Sequence, residues 1–142
     1  MRRDVHVVES GNGPYGQFIT CGRHVLSADE PEAVGGHDTG PDPFELLLAS
    51  LGACTAMTLR MYASRKKWPL DRVEVRLRHV RRASAGAGAR DRFERTIQLT
   101  GPLDAEQRAQ LLKIADRCPV SETLQASSEI VSQLDPEGKA TT

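Results

Sequence analysis

The longest apolar run in the chain is Asp42-Pro-Phe-Glu-Leu-Leu-Leu-Ala-Ser-Leu-Gly-Ala-Cys54. It opens on a clear start signal: Asp42 as N-cap, Pro43 at the first helical position, and Glu45 placed to close a capping box. Apolar residues continue past Cys54 in two adjacent stripes. One is Leu47, Leu51, Cys54, Thr58 and Met61, and the other is Leu46, Ala49, Ala53 and Met57. So wide an arc predicts a helix buried on most sides. It should end before Trp68-Pro69, with Arg65, Lys66 and Lys67 at its negative end. At 1.5 Å per residue it is roughly 38 Å long and must cross the fold or bend. The small residues from Ala49 to Ala53 let another element approach closely.

Around this helix the pattern changes period. Residues 3–27 predict β structure: Val5 and Val7, then Phe18, Ile19 and Cys21, flank a turn-rich segment at Ser10–Pro14, and Cys21–Leu26 has the pattern of a further short strand. Residues 28–41 carry too many prolines and glycines for regular structure, and a loop this long in a compact domain is often functional. In 71–100, Val73, Val75 and Leu77 alternate with Glu74, Arg76 and Arg78, and Phe93, Ile97 and Leu99 with Glu94, Thr96 and Gln98, predicting a second hairpin around a flexible loop at 83–89. A helix follows from about Asp104 to Arg117, boxed by Gln107, with Leu111, Leu112, Ile114 and Ala115 inward. Cys118-Pro119 restarts a short helix through about Gln125, with Cys118 at its N-cap. Ile130, Val131 and Leu134 predict a last strand, and residues 135–142 a frayed tail. The order predicts a single α+β domain over 1–142 with a mainly antiparallel sheet.

Charge removes several classes of function. The chain of 142 residues carries 19 Lys+Arg and 19 Asp+Glu, so nothing suggests a nucleic-acid groove or an anionic membrane surface. The basic clusters at 65–67 and 81–82 read as a solvated helix end and loop. The N-terminus lacks an apolar signal core, and no stretch approaches the roughly 20 apolar residues of a membrane span. A cytoplasmic protein is the expectation, where structural disulfides are rare.

The three cysteines are therefore the candidate chemistry. They are too scattered for a zinc site. On pattern alone each reads as a small core residue. Cys54 lies about three turns inside its helix, beyond the reach of the helix dipole, and burial would raise its pKa. If it reacts, a cation must come from elsewhere, and an arginine is the natural choice. Cys118, at an N-cap, would lie near free N–H groups that favour a thiolate. A Cys–His pair is the competing arrangement, but no local signature links His6, His24, His37 or His79 to a cysteine.

Residues 36–58 resemble the first cysteine helix of the OsmC/Ohr family of osmotically induced and organic hydroperoxide resistance proteins. Arg117-Cys-Pro-Val-Ser121 resembles its second cysteine motif, and the element order agrees along nearly the whole chain. The pattern Gly40-Pro-x-Pro-x-Glu-Leu-Leu-Leu48, with Arg65-Lys-Lys-Trp-Pro-Leu70, is similar to the smaller OsmC-like branch. The resemblance implies an OsmC-like fold, an antiparallel sheet packed on a long central helix, in an intertwined homodimer with active sites at the subunit interface. It implies a thiol peroxidase: Cys54 peroxidatic, Cys118 resolving through a Cys54–Cys118 disulfide, organic hydroperoxide as substrate, a lipoyl-type or other dithiol as reductant, and no metal or flavin cofactor. The family arginine comes from the N-terminal β region, which makes Arg23 the candidate. An Ohr-type glutamate that holds this arginine is replaced here by Phe44. Glu45 follows it, turned by about 100° on a helix, and either caps the helix or reaches the site. Cys21 matches no family cysteine and reads as core. The alternatives are a stress-associated or small-molecule-binding protein with weak or no peroxidase activity and, behind it, a cysteine hydrolase or transferase.

Overall fold

The computed structural model describes residues 3–81 and 90–136. The loop expected at 83–89 and most of the tail expected at 135–142 lie outside them. Strands β1 (His6–Glu9), β2 (Gln17–Cys21) and β3 (His24–Ala28) form an antiparallel sheet in that order. Helix α1 spans Pro43–Lys66; β4 (Arg72–Val80) and β5 (Arg92–Thr100) pair as an antiparallel hairpin; α2 (Ala105–Ala115) and α3 (Pro119–Gln125) follow. The α+β architecture is thus two antiparallel sheets and a long helix, with β4, α2 and α3 packed on α1 and the first sheet packed mainly on itself.

Helix α1 starts as its sequence dictates. Asp42 accepts from the Glu45 N–H at 2.8 Å and Glu45 Oε1 accepts from the Asp42 N–H at 3.2 Å. It ends at Lys67, which takes a left-handed conformation (φ 57°). The Arg60 guanidinium then donates to the carbonyls of Leu70 and Asp71, tying the departing chain to the helix. The side that α1 buries in its own chain is narrower than its pattern suggests. Leu51, Thr55, Leu59 and Ala63 form the covered stripe, whereas Met57 and Met61 are 60% and 63% exposed. Gly52 lets β4 lie close: a Cβ there would come within 2.6 Å of Leu77 Cδ1. By length and composition α1 also reaches what a membrane span needs, contrary to the expectation from its sequence, with 28% of its apolar window buried in its own chain.

The core gathers between α1, α2 and the hairpin. Leu59, Ala63, Leu70, Leu103, Leu111, Ile114 and Ala115 are buried, with Tyr62, Trp68, Val73, Ile97 and Leu99 packed against them. Leu112 was expected inward but is 63% exposed, because the turn of α2 carries it past the side that meets α1. No strand forms at Ile130, Val131 and Leu134; these residues are 88%, 82% and 94% exposed, and none of the described strands pairs with them. The 28–41 loop contains one short 3-10 turn, Glu32–Val34, where no regular structure was expected. Buried Asp29 organises this loop. Its carboxylate accepts from Thr39 Oγ1 at 2.6 Å and from the N–H groups of Glu30, Thr39 and His37. Led by the Thr39 hydroxyl, these donors hold Asp29 below the usual carboxylate range.

Leu59→Ala should lower stability by about 2–5 kcal/mol, because Leu59 is fully covered within the core cluster and its loss leaves a cavity there. The shift of a urea unfolding midpoint measures this, and a loss below about 1 kcal/mol would show that the cluster is not the core.

Candidate active site

The two cysteines singled out by sequence come together where α1 passes α3. Cys118 is fully buried and Cys54 half-buried, and both are free thiols. Cys118 caps α3: its sulfur accepts from the Ser121 N–H at 3.4 Å. Its sulfur also lies 3.9 Å from Thr55 Oγ1, the residue that follows Cys54 on α1. Consecutive helical residues point about 100° apart, so Thr55 is turned into the interior while Cys54 faces its rim.

Within the chain, the arginine that stands behind Cys118 is Arg95. Arg95, on β5, donates through Nη1 to Thr55 Oγ1 at 2.9 Å, and through Nη2 to Asp116 Oδ1 at 3.0 Å and Ser121 Oγ at 3.4 Å. Its side chain is only 13% exposed. The Asp116 carboxylate is 76% exposed, so as a surface ion pair it is worth at most about 1 kcal/mol. It orients the guanidinium more than it stabilises the fold. Thr55 Oγ1 is also 2.7 Å from the Leu51 carbonyl, to which it donates. Rotation of that one hydroxyl hydrogen gives Cys118 a donor whenever its sulfur is charged.

The two thiols titrate apart. Burial pushes Cys54 up, and its interaction with Cys118 pushes the same way; the Val120 N–H and the Thr58 hydroxyl recover only part of this. Burial also opposes the Cys118 thiolate. The Ser121 N–H, the Cys54 thiol, the Thr55 hydroxyl and the Arg95 charge together outweigh it, and Cys118 lies below the ordinary thiol value.

The remaining sequence candidates lie elsewhere. Arg23 is exposed in the Gly22-Arg23 turn between β2 and β3. Glu45 is exposed and engaged in the capping box. Phe44 stacks on His79 (centroids 4.6 Å apart), which stacks in turn on Phe93 at 4.8 Å, with His79 Nε2 2.9 Å from Asp91 Oδ1. An aromatic pile thus covers the first turn of α1. Among the described residues no histidine hydrogen-bonds a cysteine. Beside the pile a cleft of about 570 Å³ opens, lined by Leu51, Phe93, Arg95, Ile97, Ser121 and Leu124 among others.

The model of OsmC-like proteins matches residues 36–133, well over half of the chain. The chain belongs to the OsmC-like family. Both cysteines and Arg95 fall within the matched part. Solved OsmC-type structures share the fold at low identity. An OsmC-like protein of Mycoplasma pneumoniae superposes with a TM-score of 0.74 at 18% identity, over 88% of each chain. An organic hydroperoxide resistance protein OsmC of Legionella pneumophila gives 0.68 at 20%, over 88% of this chain and 90% of that one. The organic hydroperoxide resistance protein OhrB of Bacillus subtilis gives 0.60 at 23%, over 86% and 89%. No curated protein matches the chain.

Arg95 had a signal in the sequence. On β5 it falls in phase with Phe93, Ile97 and Leu99, so strand alternation turns an arginine toward the apolar side. Thr55 and Ser121 had none beyond their nearness to the cysteines. Arg95→Gln should raise the Cys118 titration midpoint, since a cation favours the charged thiolate and its loss favours the neutral thiol. Thiolate absorbance against pH in a Cys54→Ser background measures it, and an unmoved midpoint would remove Arg95 from the site.

Proposed function

We propose that the chain is a thiol peroxidase that reduces organic hydroperoxides. The observation that carries this reading is the meeting of two free thiols, distant in sequence, one of which is flanked by Thr55 and Ser121, both bonded to a buried arginine. Cys54, the less buried sulfur, attacks the O–O bond and becomes a sulfenic acid while an alcohol departs. Cys118 then attacks the Cys54 sulfur, forming a disulfide and releasing water. Its lowered pKa also makes it a good leaving group when a dithiol, lipoyl-type or other, reduces that disulfide. This cycle calls on no metal or flavin, and the free thiols fit a reducing compartment such as the cytoplasm. The hydroperoxide resistance proteins that share the fold support the same substrate class.

The working unit is a homodimer. Met57 and Met61 on α1, the exposed Val7, Phe18, Val25 and Leu26 of the first sheet, and Ile130, Val131 and Leu134 together present more apolar surface than a lone chain keeps open. A second copy covers them in an intertwined arrangement. Arg23 stands on the outer turn of the first sheet, so its service to a thiol is across that interface. Glu45 acts first as a cap.

Phe44 favours a second reading. With an aromatic pile in place of the glutamate, the cleft beside Arg95 can serve as a binding site for an apolar small molecule with little turnover. The two readings part on one measurement. Under the first, Cys54→Ser abolishes reduction of tert-butyl hydroperoxide in the presence of a dithiol, and Cys118→Ser stops after one turnover as a sulfenic acid or mixed disulfide. Equal turnover by Cys54→Ser and the parent would sink the peroxidase reading.

A further inference from the structure

Within one chain the first sheet is an arm. Val7 and Val8 on β1, and Val25 and Leu26 on β3, are neighbours in sequence, so each pair points to opposite faces of the sheet. Their exposures are 54% and 47%, and 67% and 49%, so neither face is covered by the chain's own helices, and the sheet packs mainly on itself. Such an arm is aimed by its joint, residues 29–41. As free chain a joint of this length reaches roughly 40 Å, enough to swing the sheet back over the bare Met57 and Met61 of the same α1.

The joint is not free chain. The Asp29 N–H donates to the Pro41 carbonyl at 3.2 Å, so the two ends of the loop lie side by side. Between them the buried Asp29 carboxylate accepts from the Glu30 N–H at 2.7 Å, the His37 N–H at 3.3 Å, the Thr39 N–H at 3.1 Å and the Thr39 hydroxyl at 2.6 Å. The Asp38 N–H closes a second rung onto the Glu30 carbonyl at 3.1 Å. Ser27, still in β3, donates its hydroxyl to the Thr39 carbonyl at 3.1 Å, and a Cβ on Gly40 would come within 2.7 Å of that hydroxyl. Asp38 is held at φ 52°, a left-handed conformation that is costly outside glycine and persists where the surroundings over-determine it. Loop and sheet are thus one bonded body, and the joint narrows to the step from Pro41 into Asp42, the cap of α1.

We propose that Asp29 is a latch that commits the chain to exchanging its first sheet with a second copy. Locked, the ring holds the sheet off its own α1 and presents it already ordered, so association does not have to freeze the joint. Unlocked, the sheet folds back on the same chain and covers in cis the apolar stripe that the partner otherwise covers in trans, the closed alternative open to any exchanged element. The latch rests on the homodimer proposed above and names the residue that governs it. Asp29 is a positioning residue, remote from both thiols.

Asp29→Asn keeps the volume of the side chain but turns an amide N–H group toward N–H donors. Subunit exchange between unlabelled and isotope-labelled dimers of each protein, followed by native mass spectrometry, measures the latch, and light scattering on dilution gives the monomer fraction. Asp29→Asn should exchange at least about tenfold faster than the parent and release monomer at higher concentration, as expected for one charge-assisted hydrogen bond lost. Amide exchange should quicken in 28–41 and β1–β3 while α2 keeps its parental protection. Thr39→Ser retains the hydroxyl and should behave as the parent; Thr39→Val loses one donor and should fall between, and it decides the matter if Asp29→Asn does not fold. A variant whose loop loses amide protection while its dimer exchanges at the parental rate would reduce Asp29 to a local staple and overturn the latch, leaving the homodimer standing. A parent that is monomeric would overturn both.

Discussion

Strand alternation turns the guanidinium of Arg95 toward the apolar side of β5, and the site depends on that placement. A charged group turned toward the interior must be satisfied there or it costs several kcal/mol. Arg95 meets this demand by bonding Thr55 on α1, Asp116 at the end of α2 and Ser121 on α3. One side chain thereby joins the hairpin to all three helices. The same bonds fix the Thr55 hydroxyl and the first turn of α3, and those two groups hold the Cys118 sulfur. The electrostatics of the thiol pair and the docking of the short helix are one arrangement.

What was legible in the sequence was local. The capping boxes at Asp42/Glu45 and Asp104/Gln107, the proline after Cys118 and the alternation of β4 and β5 depend on neighbours a few residues apart, and all appear in the structure. The pairing of Cys54 with Cys118 was reached through family resemblance, since no pattern within the chain joins positions so distant. The cation was sought in the N-terminal β region at Arg23 and lies, within the chain, on β5. The two stripes of α1 and the apolar residues after Gln125 failed in a common way. Periodicity identifies which residues want cover and is silent on what covers them, so Met57, Met61, Leu112 and Ile130 stand exposed.

Phe44 and Thr55 show two ways in which one helix meets the hairpin packed on it. At the start of α1 a ring stacks into the hairpin through His79 and Phe93, filling space where a carboxylate would need a partner. At its centre a threonine, small enough to be fully buried, satisfies the Leu51 carbonyl and Arg95 at once.

Cys54 stands near the midpoint of α1, about 18 Å of helix from either end. Helices open from their termini, and unwinding from the loop side at Asp42 or the Trp68 side must consume several turns before it reaches the sulfur. The Asp42–Glu45 box resists the first of these openings, and Arg60 with its two carbonyls resists the second. Motion of the 28–41 loop, whether at rest or around an arriving ligand, is thus mechanically decoupled from the distance between the two thiols. That distance is set instead where α3 packs on α1, and the Arg95 guanidinium, bonded to Thr55 on one and Ser121 on the other, fastens the two together.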